Sequence, residues 1–187
     1  GPFELTPEAI GRRSIKNLCL GYLMQGDHAQ AQALCRSQFA AQRNMTDVFA
    51  ALRLLADAGG AAGDEALSDF YGRWKGDRLV LDKWFAIQAI GKREDTLLRV
   101  RGLLSHPDYT VADPNRVRSL VGVFCVGNQV RFHAADGAGY RFLADRVLEL
   151  DPVNPQIASR LLQAMVRWRR FDSGRQVQMR AELERIL

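Results

Sequence analysis

The chain has 187 residues, of which 47% are hydrophobic and 25% charged, with a formal net charge of +5. That length and composition allow a sizeable core and fit one domain or a short helical array, not a disordered segment. No apolar run approaches the roughly 18 residues of a membrane helix, and no charged-then-apolar leader opens the chain.

The elements follow in chain order. Thr6-Pro7-Glu8 provides an N-cap, a first-turn proline and an early acid, and Ile15, Leu18, Cys19, Tyr22 and Leu23 recur at helical steps toward Gly26. Asp27 is placed to cap a second helix through about Ala41. Thr46 or Asp47 caps a third with a stripe of Val48, Phe49, Leu52 and Leu55, stopped at Gly59-Gly60. A fourth is expected from Asp64 to Lys75. A fifth spans Arg78 to Ile90, where Leu81, Trp84, Phe85 and Ile87 make most faces apolar, as on an inner helix. Leu97, Val100, Leu103 and Leu104 mark a sixth, closed by His106-Pro107.

Asp113-Pro114-Asn115 starts a helix carrying Val117, Leu120, Val121, Phe124 and Cys125. Val126 to Phe132 is the one stretch with strand character, and it is too short to build a sheet. Tyr140, Leu143, Val147 and Leu148 mark a later helix. Asn154-Pro155 opens one through Arg170 with Ile157, Leu161, Leu162, Met165 and Val166 buried, and Ser173 caps the last, to Leu187. The count is roughly nine or ten helices, which predicts an all-α fold: an irregular α-solenoid of antiparallel pairs, with a compact bundle as the other arrangement.

No set of residues forms a catalytic centre. The histidines, His28, His106 and His133, stand outside any His-Glu-x-x-His pattern and read as caps or turn residues. Cys19, Cys35 and Cys125 are odd in number and widely spaced, and read as reduced core thiols of a cytoplasmic protein. Gly137-Ala138-Gly139 lacks the third glycine of a dinucleotide fingerprint, and Gly59 to Gly63 lacks the lysine of a phosphate loop, so both are turns.

Several polar segments go beyond what helix packing demands. Arg116 and Arg118 stand in the first turns of a helix, against its dipole, where solvation or a surface carboxylate is the favoured account and a ligand the other. Gln156 and Arg160 share a helix face four residues apart and suit either a cleft facing carbonyls or carboxylates, or an exposed capping turn. Val126 to Phe142 reads equally as a functional loop or a plain connection. Arg167, Arg169 and Arg170, without interleaved exposed aromatics, read as a solvated helix end, which makes nucleic acid an unfavoured partner.

Six segments occur together in a fixed order: Asn44-Met45-Thr46-Asp47, Asp82-Lys83-Trp84-Phe85, Val100-Arg101-Gly102-Leu103-Leu104, Pro114 through Leu120, Phe132-His133-Ala134 with Asp136-Gly137, and Asn154 through Arg160. They resemble the C-terminal α-helical domain of bacterial aminopeptidase N, a zinc-dependent, gluzincin-type family. Ala138 departs from the serine of the family's Asp-Gly-x-Gly-Tyr turn and leaves its glycines intact.

Gly1-Pro2 reads as a scar of tag removal, with residues 1–4 a scar or linker, and the resemblance implies that residues 5–187 are a single helical domain. It further implies that zinc and the catalytic groups lie in a separate domain, so that this chain alone is inactive. Its partners would be the catalytic and β domains of the same polypeptide and peptide substrates, with no membrane. Arg118, Gln156 and Arg160 would be chamber-wall residues that bind peptide, with no catalytic and no metal-binding residue in this chain. A stand-alone helical scaffold with an Arg-rich binding face is the alternative.

Overall fold

The computed structural model describes residues 3–26 and 29–187. The cap expected at Asp27, the turn role expected of His28 and the scar expected at Gly1-Pro2 fall outside the described residues. Among the described residues there is no strand; the helices are α1 (Pro7–Leu23), α2 (Ala29–Ala40), α3 (Met45–Ala58), α4 (Gly60–Trp74), α5 (Arg78–Ile90), α6 (Thr96–Leu103), α7 (Pro114–Val117), α8 (Gln129–Phe132), α9 (Ala138–Leu150), α10 (Pro155–Leu162) and α11 (Ser173–Ile186). A π-helix continues α7 over Arg118–Gly127, and a 3-10 turn spans Trp168–Arg170. No described helix is long and apolar enough to cross a membrane. The chain forms two compact units, Gly1–Lys75 and Gly76–Leu187.

In the first unit α2 packs on α3, α3 on α4, and α1 on both α2 and α3. Cys35, Phe39, Ala51, Leu52, Leu55 and Phe70 form the core. Gly59 turns the chain at φ 71°. A Cβ on Gly63 would stand 2.5 Å from the Leu55 carbonyl oxygen, so glycine permits the close approach of α4 to the end of α3. Asn44, not Thr46 or Asp47, caps α3, its Oδ1 accepting from the Asp47 amide at 2.9 Å.

Asp47 is instead a buried tie between helices. Its carboxylate accepts from Lys16 and Asn17 of α1 and from Asn44, while Gln38 of α2 donates to the Asp47 carbonyl. Burial by itself would raise this carboxyl, but the donors and the Lys16 charge bring it below the usual carboxylate range.

One expectation for α1 holds and one is corrected. Thr6 does cap it, its Oγ1 accepting from the Ala9 amide. Cys19, expected as a core thiol, is exposed, and the apolar stripe around it faces outward: Ile15, Leu18 and Tyr22 are 65%, 60% and 72% exposed. The helix buries Ala9 and Leu20 and uses Lys16 and Asn17 for polar contact, so it carries apolar residues on two faces. Periodicity identified the helix without saying which face packs.

In the second unit α5 lies along the π-helix, α6 touches both, and α9 packs against α10 and α11. Phe124 meets Phe142 edge-on at 5.5 Å, and Phe132 meets Tyr140 edge-on at 5.4 Å; all four rings are buried. Val126 to Phe132 holds no strand, because Asn128 turns the backbone directly into α8. Its amide group donates to the Ala89 and Gly91 carbonyls at 3.0 and 2.7 Å, and its Oδ1 accepts from the Arg131 amide. One buried asparagine thus closes the end of α5 and opens α8.

Before α9, Gly137 adopts φ 67°, and a Cβ on Gly139 would lie 2.2 Å from the Phe132 carbonyl oxygen, so both glycines answer to the turn itself. α10 stops at Leu162, short of the expected Arg170, and tight turns then lead into the 3-10 segment; Met165 remains buried while Val166 is exposed. Asp172, rather than Ser173, caps α11.

His133 ties α11 to this turn. Its ring stacks on Phe171 at 4.4 Å, its Nδ1 lies 2.9 Å from the Tyr140 hydroxyl, and its carbonyl accepts from Arg175 Nε. Burial, then the Arg175 charge, lower its pKa from the ordinary imidazole value. A lowered folded pKa means that the unfolded chain takes up the proton first. This contribution to stability is therefore complete above about pH 6.5 and is lost as pH falls from there through the folded pKa. In urea melts, the parent chain should lose more stability between about pH 7.5 and 5.5 than His133→Gln; equal losses would remove His133 as the cause.

Candidate functional site

The strongest site is a groove of about 600 Å³ in the second unit, lined by Pro114, Asn115, Arg118, Gly122, Val123, Val126 and Gly127 on one helix, Ile157, Arg160 and Leu161 on another, and Ile90 at the end of α5. It is built from two capped, proline-led helix starts. Asp113 accepts from the Asn115 amide ahead of Pro114, and Asn154 accepts from the Ile157 amide ahead of Pro155. Asp113 also accepts from Arg78 at 2.8 Å. That hydrogen bond, against the opposing effect of burial, holds its carboxyl below the usual range.

The winding of the first wall decides what faces the groove. A π-helix places residues of one face at four- and five-residue steps. Arg118, Gly122, Val123, Val126 and Gly127 recur at such steps and all line the groove. Gly122 keeps the floor low: a Cβ there would stand 3.5 Å from Arg118 Cγ and 3.8 Å from Leu161 Cδ2. Gly127 is packed more tightly, since a Cβ would come 2.8 Å from Ile90 Cδ1.

Arg116 and Arg118 have opposite fates. Arg116 is 4% exposed, its NH1 lies 2.9 Å from Asp82 Oδ1, and its guanidinium sits over the Phe85 ring at 4.9 Å. NH1 and Nε make no aligned hydrogen bond, so charge and ring contact hold the side chain. Arg118 is exposed at the groove and donates to Asn115 Oδ1 at 2.9 Å. Among the described residues no carboxylate pairs with Arg118 or Arg160.

Of the three residues expected on a binding wall, the structure brings Arg118 and Arg160 to one groove. Gln156 is exposed on the first turn of α10 and does not line it. Sequence reasoning passed over Asn115, Gly122, Val123 and Val126. The four-residue step from Arg118 to Gly122 to Val126 was readable as one helix face, but an α-helical template turns Val123, five residues from Arg118, well away from it. Arg169 stacks on Trp168 at 4.9 Å, so an aromatic does stand within the basic cluster, away from the groove lining. Among the described residues no group of three or more His, Cys, Asp or Glu could hold a metal. Cys35 and Cys125 are buried free thiols, and burial raises the Cys35 pKa to about 11.

Known proteins match the whole chain. A family model described as a domain of unknown function (DUF3458_C) with ARM repeats covers residues 1–187. Such repeats are helical solenoids, the class read from the sequence. Aminopeptidase N of Caulobacter vibrioides is 42% identical over 100% of this chain and 22% of the relative, and that of Escherichia coli is 40% identical over 98% and 21%. The crystal structure of Legionella pneumophila aminopeptidase A in complex with aspartic acid superposes with a TM-score of 0.91 at 32% identity, over 100% of this chain and 23% of that one. The chain therefore spans about a fifth of the length of the relatives it matches.

The contrast between the two arginines is measurable. Arg116→Ala should cost about 3 kcal/mol by leaving Asp82 without its partner. Arg118→Ala should change stability by less than about 0.5 kcal/mol. Thermal melts of the two variants check this, and comparable losses would contradict the division of roles.

Proposed function

The chain belongs to the ARM-repeat family of the domain described as DUF3458_C, and from that membership we propose that it is the non-catalytic C-terminal domain of a zinc aminopeptidase, closing the active-site chamber and helping to bind peptides. The observation that carries this reading is the groove itself. Two arginines from separate helices meet beside an apolar floor, and among the described residues neither is neutralised by a carboxylate.

The chemistry suits binding. A guanidinium donates paired hydrogen bonds to a carboxylate or a peptide carbonyl, and Asn115 steadies that of Arg118. Gln156 both donates and accepts, and from its exposed position it would reach the peptide at the groove rim. These side chains position the part of a peptide beyond the bond that is cut; none is placed as a nucleophile, base or metal ligand. The described residues do not fit a zinc site. Zinc, the general base and the grip on the free amino group belong, on this reading, to a catalytic domain of the same polypeptide, and the isolated chain has no peptidase activity.

The exposed apolar stripe of α1 supports contact with that remainder, since patches of this kind mark interfaces. Residues 5–187 act in this reading as one domain, in a cytoplasmic enzyme, with free thiols at Cys35 and Cys125 in keeping with a reducing compartment.

In the full-length polypeptide, Arg160→Ala should raise KM for peptides about tenfold more than for single-residue amides, the loss of one charge-assisted contact. Steady-state kinetics on both substrate types decides it. Equal effects on the two would count against a peptide-binding wall.

A further inference from the structure

We infer that the groove reads the last residue of a peptide, taking a free α-carboxylate on Arg118 and Arg160 and a branched aliphatic or aromatic side chain on the floor formed by Gly122, Val123, Val126 and Leu161. This rests on the reading of the groove as a peptide-binding wall and adds which peptides it prefers.

The groove makes two demands at close quarters. Arg118 and Arg160 offer charge that no described carboxylate answers. Directly beside them lies apolar surface, including Val126, which is 56% exposed. The nearness is explicit at Gly122, whose absent Cβ would touch both the aliphatic stem of Arg118 and the methyl of Leu161. A ligand must therefore present an anion and a bulky apolar group within a few ångströms of each other.

An internal stretch of peptide does not meet both demands. Its aspartate and glutamate side chains carry the anion on a different residue from any apolar group, and its backbone carries no charge. Only at the C-terminal residue do a carboxylate and an apolar side chain share one carbon. A lone inorganic anion would meet the arginines and leave the floor wet. The groove's volume of about 600 Å³ lies within the range that holds small ligands. Filling the floor with a leucine-sized side chain, against leaving it empty beneath glycine, gives about a tenfold preference.

The test uses the full-length polypeptide and a series of peptides of increasing length, each beginning with alanine and ending in Leu, Phe or Gly, with a C-terminally amidated copy of each Leu peptide. Release of the N-terminal alanine is followed and kcat/KM compared at the length cleaved best. Leu and Phe peptides should exceed Gly peptides about tenfold, and amidation should remove most of that advantage. Gly122→Val, which fills the floor, and Val126→Ser, which makes an exposed position polar, should each bring the Leu-to-Gly ratio near unity, with thermal melts matching the parent. Equal cleavage of Leu and Gly peptides by the parent, or a ratio unmoved in both variants, overturns the inference. The two failures are separable. Should Arg118→Ala and Arg160→Ala weaken the free-acid and the amidated Leu peptides alike, the wall stands and this inference falls; should they weaken neither, the wall itself falls.

Discussion

The ion pair between Asp82 and Arg116 sets the rotational phase of the helix that begins at Pro114, and what the groove can offer follows from that phase. With Arg116 drawn inward against Asp82 and Phe85, Arg118 is carried to the outer face. Turning this segment by one residue would bury Arg118 and leave Asp82 facing aliphatic side chains, an uncompensated charge costing several kcal/mol. The apolar partners reinforce the choice, because Val117, Leu120, Val121, Phe124 and Cys125 are all buried in this phase. A pair outside the groove thereby fixes where the groove-facing cation stands.

The π winding does the rest. An α-helix in the same place would turn Val123 and Gly127 well away from Arg118, whereas the wider turn brings them toward its face. Such windings are uncommon and concentrate where a structure has a use for them. Here the result is a wall with a cation at one end, a low glycine in the middle and apolar residues beyond. Asn128 finishes it by tying the end of this helix to the last carbonyls of α5. In the first unit a comparable polar tie, Asp47 with Lys16, Asn17 and Asn44, holds α1 to α3 and leaves the apolar stripe of α1 outward.

Much of this was legible in the sequence where local chemistry decides it. The bounds of α5 follow from Asp77 as a cap and the apolar run to Ile90, and Thr6-Pro7, Asp113-Pro114 and Asn154-Pro155 each start a helix as cap and proline require. What was not legible depends on tertiary packing. Local sequence cannot separate Arg116 from Arg118, because the partner that buries one of them lies on another helix. It cannot choose between two apolar faces of α1. It gives no sign of π winding, which adds no distinctive residue, nor of the early end of α10, where apolar periodicity runs on into Met165 while the backbone turns. The resemblance directed attention to Arg118, Gln156 and Arg160; the local residues allowed that role and equally allowed solvation.

The central claim is that the groove between the π-helix and α10 receives the carboxyl end of a peptide. A crystal structure of the full-length polypeptide with a non-hydrolysable peptide bound tests it most directly. The account predicts the peptide carboxylate within hydrogen-bonding distance of the guanidinium groups of Arg118 and Arg160, with its last side chain over Gly122. A bound peptide whose carboxyl end lies elsewhere, with this groove covered by another segment of the polypeptide, would contradict it.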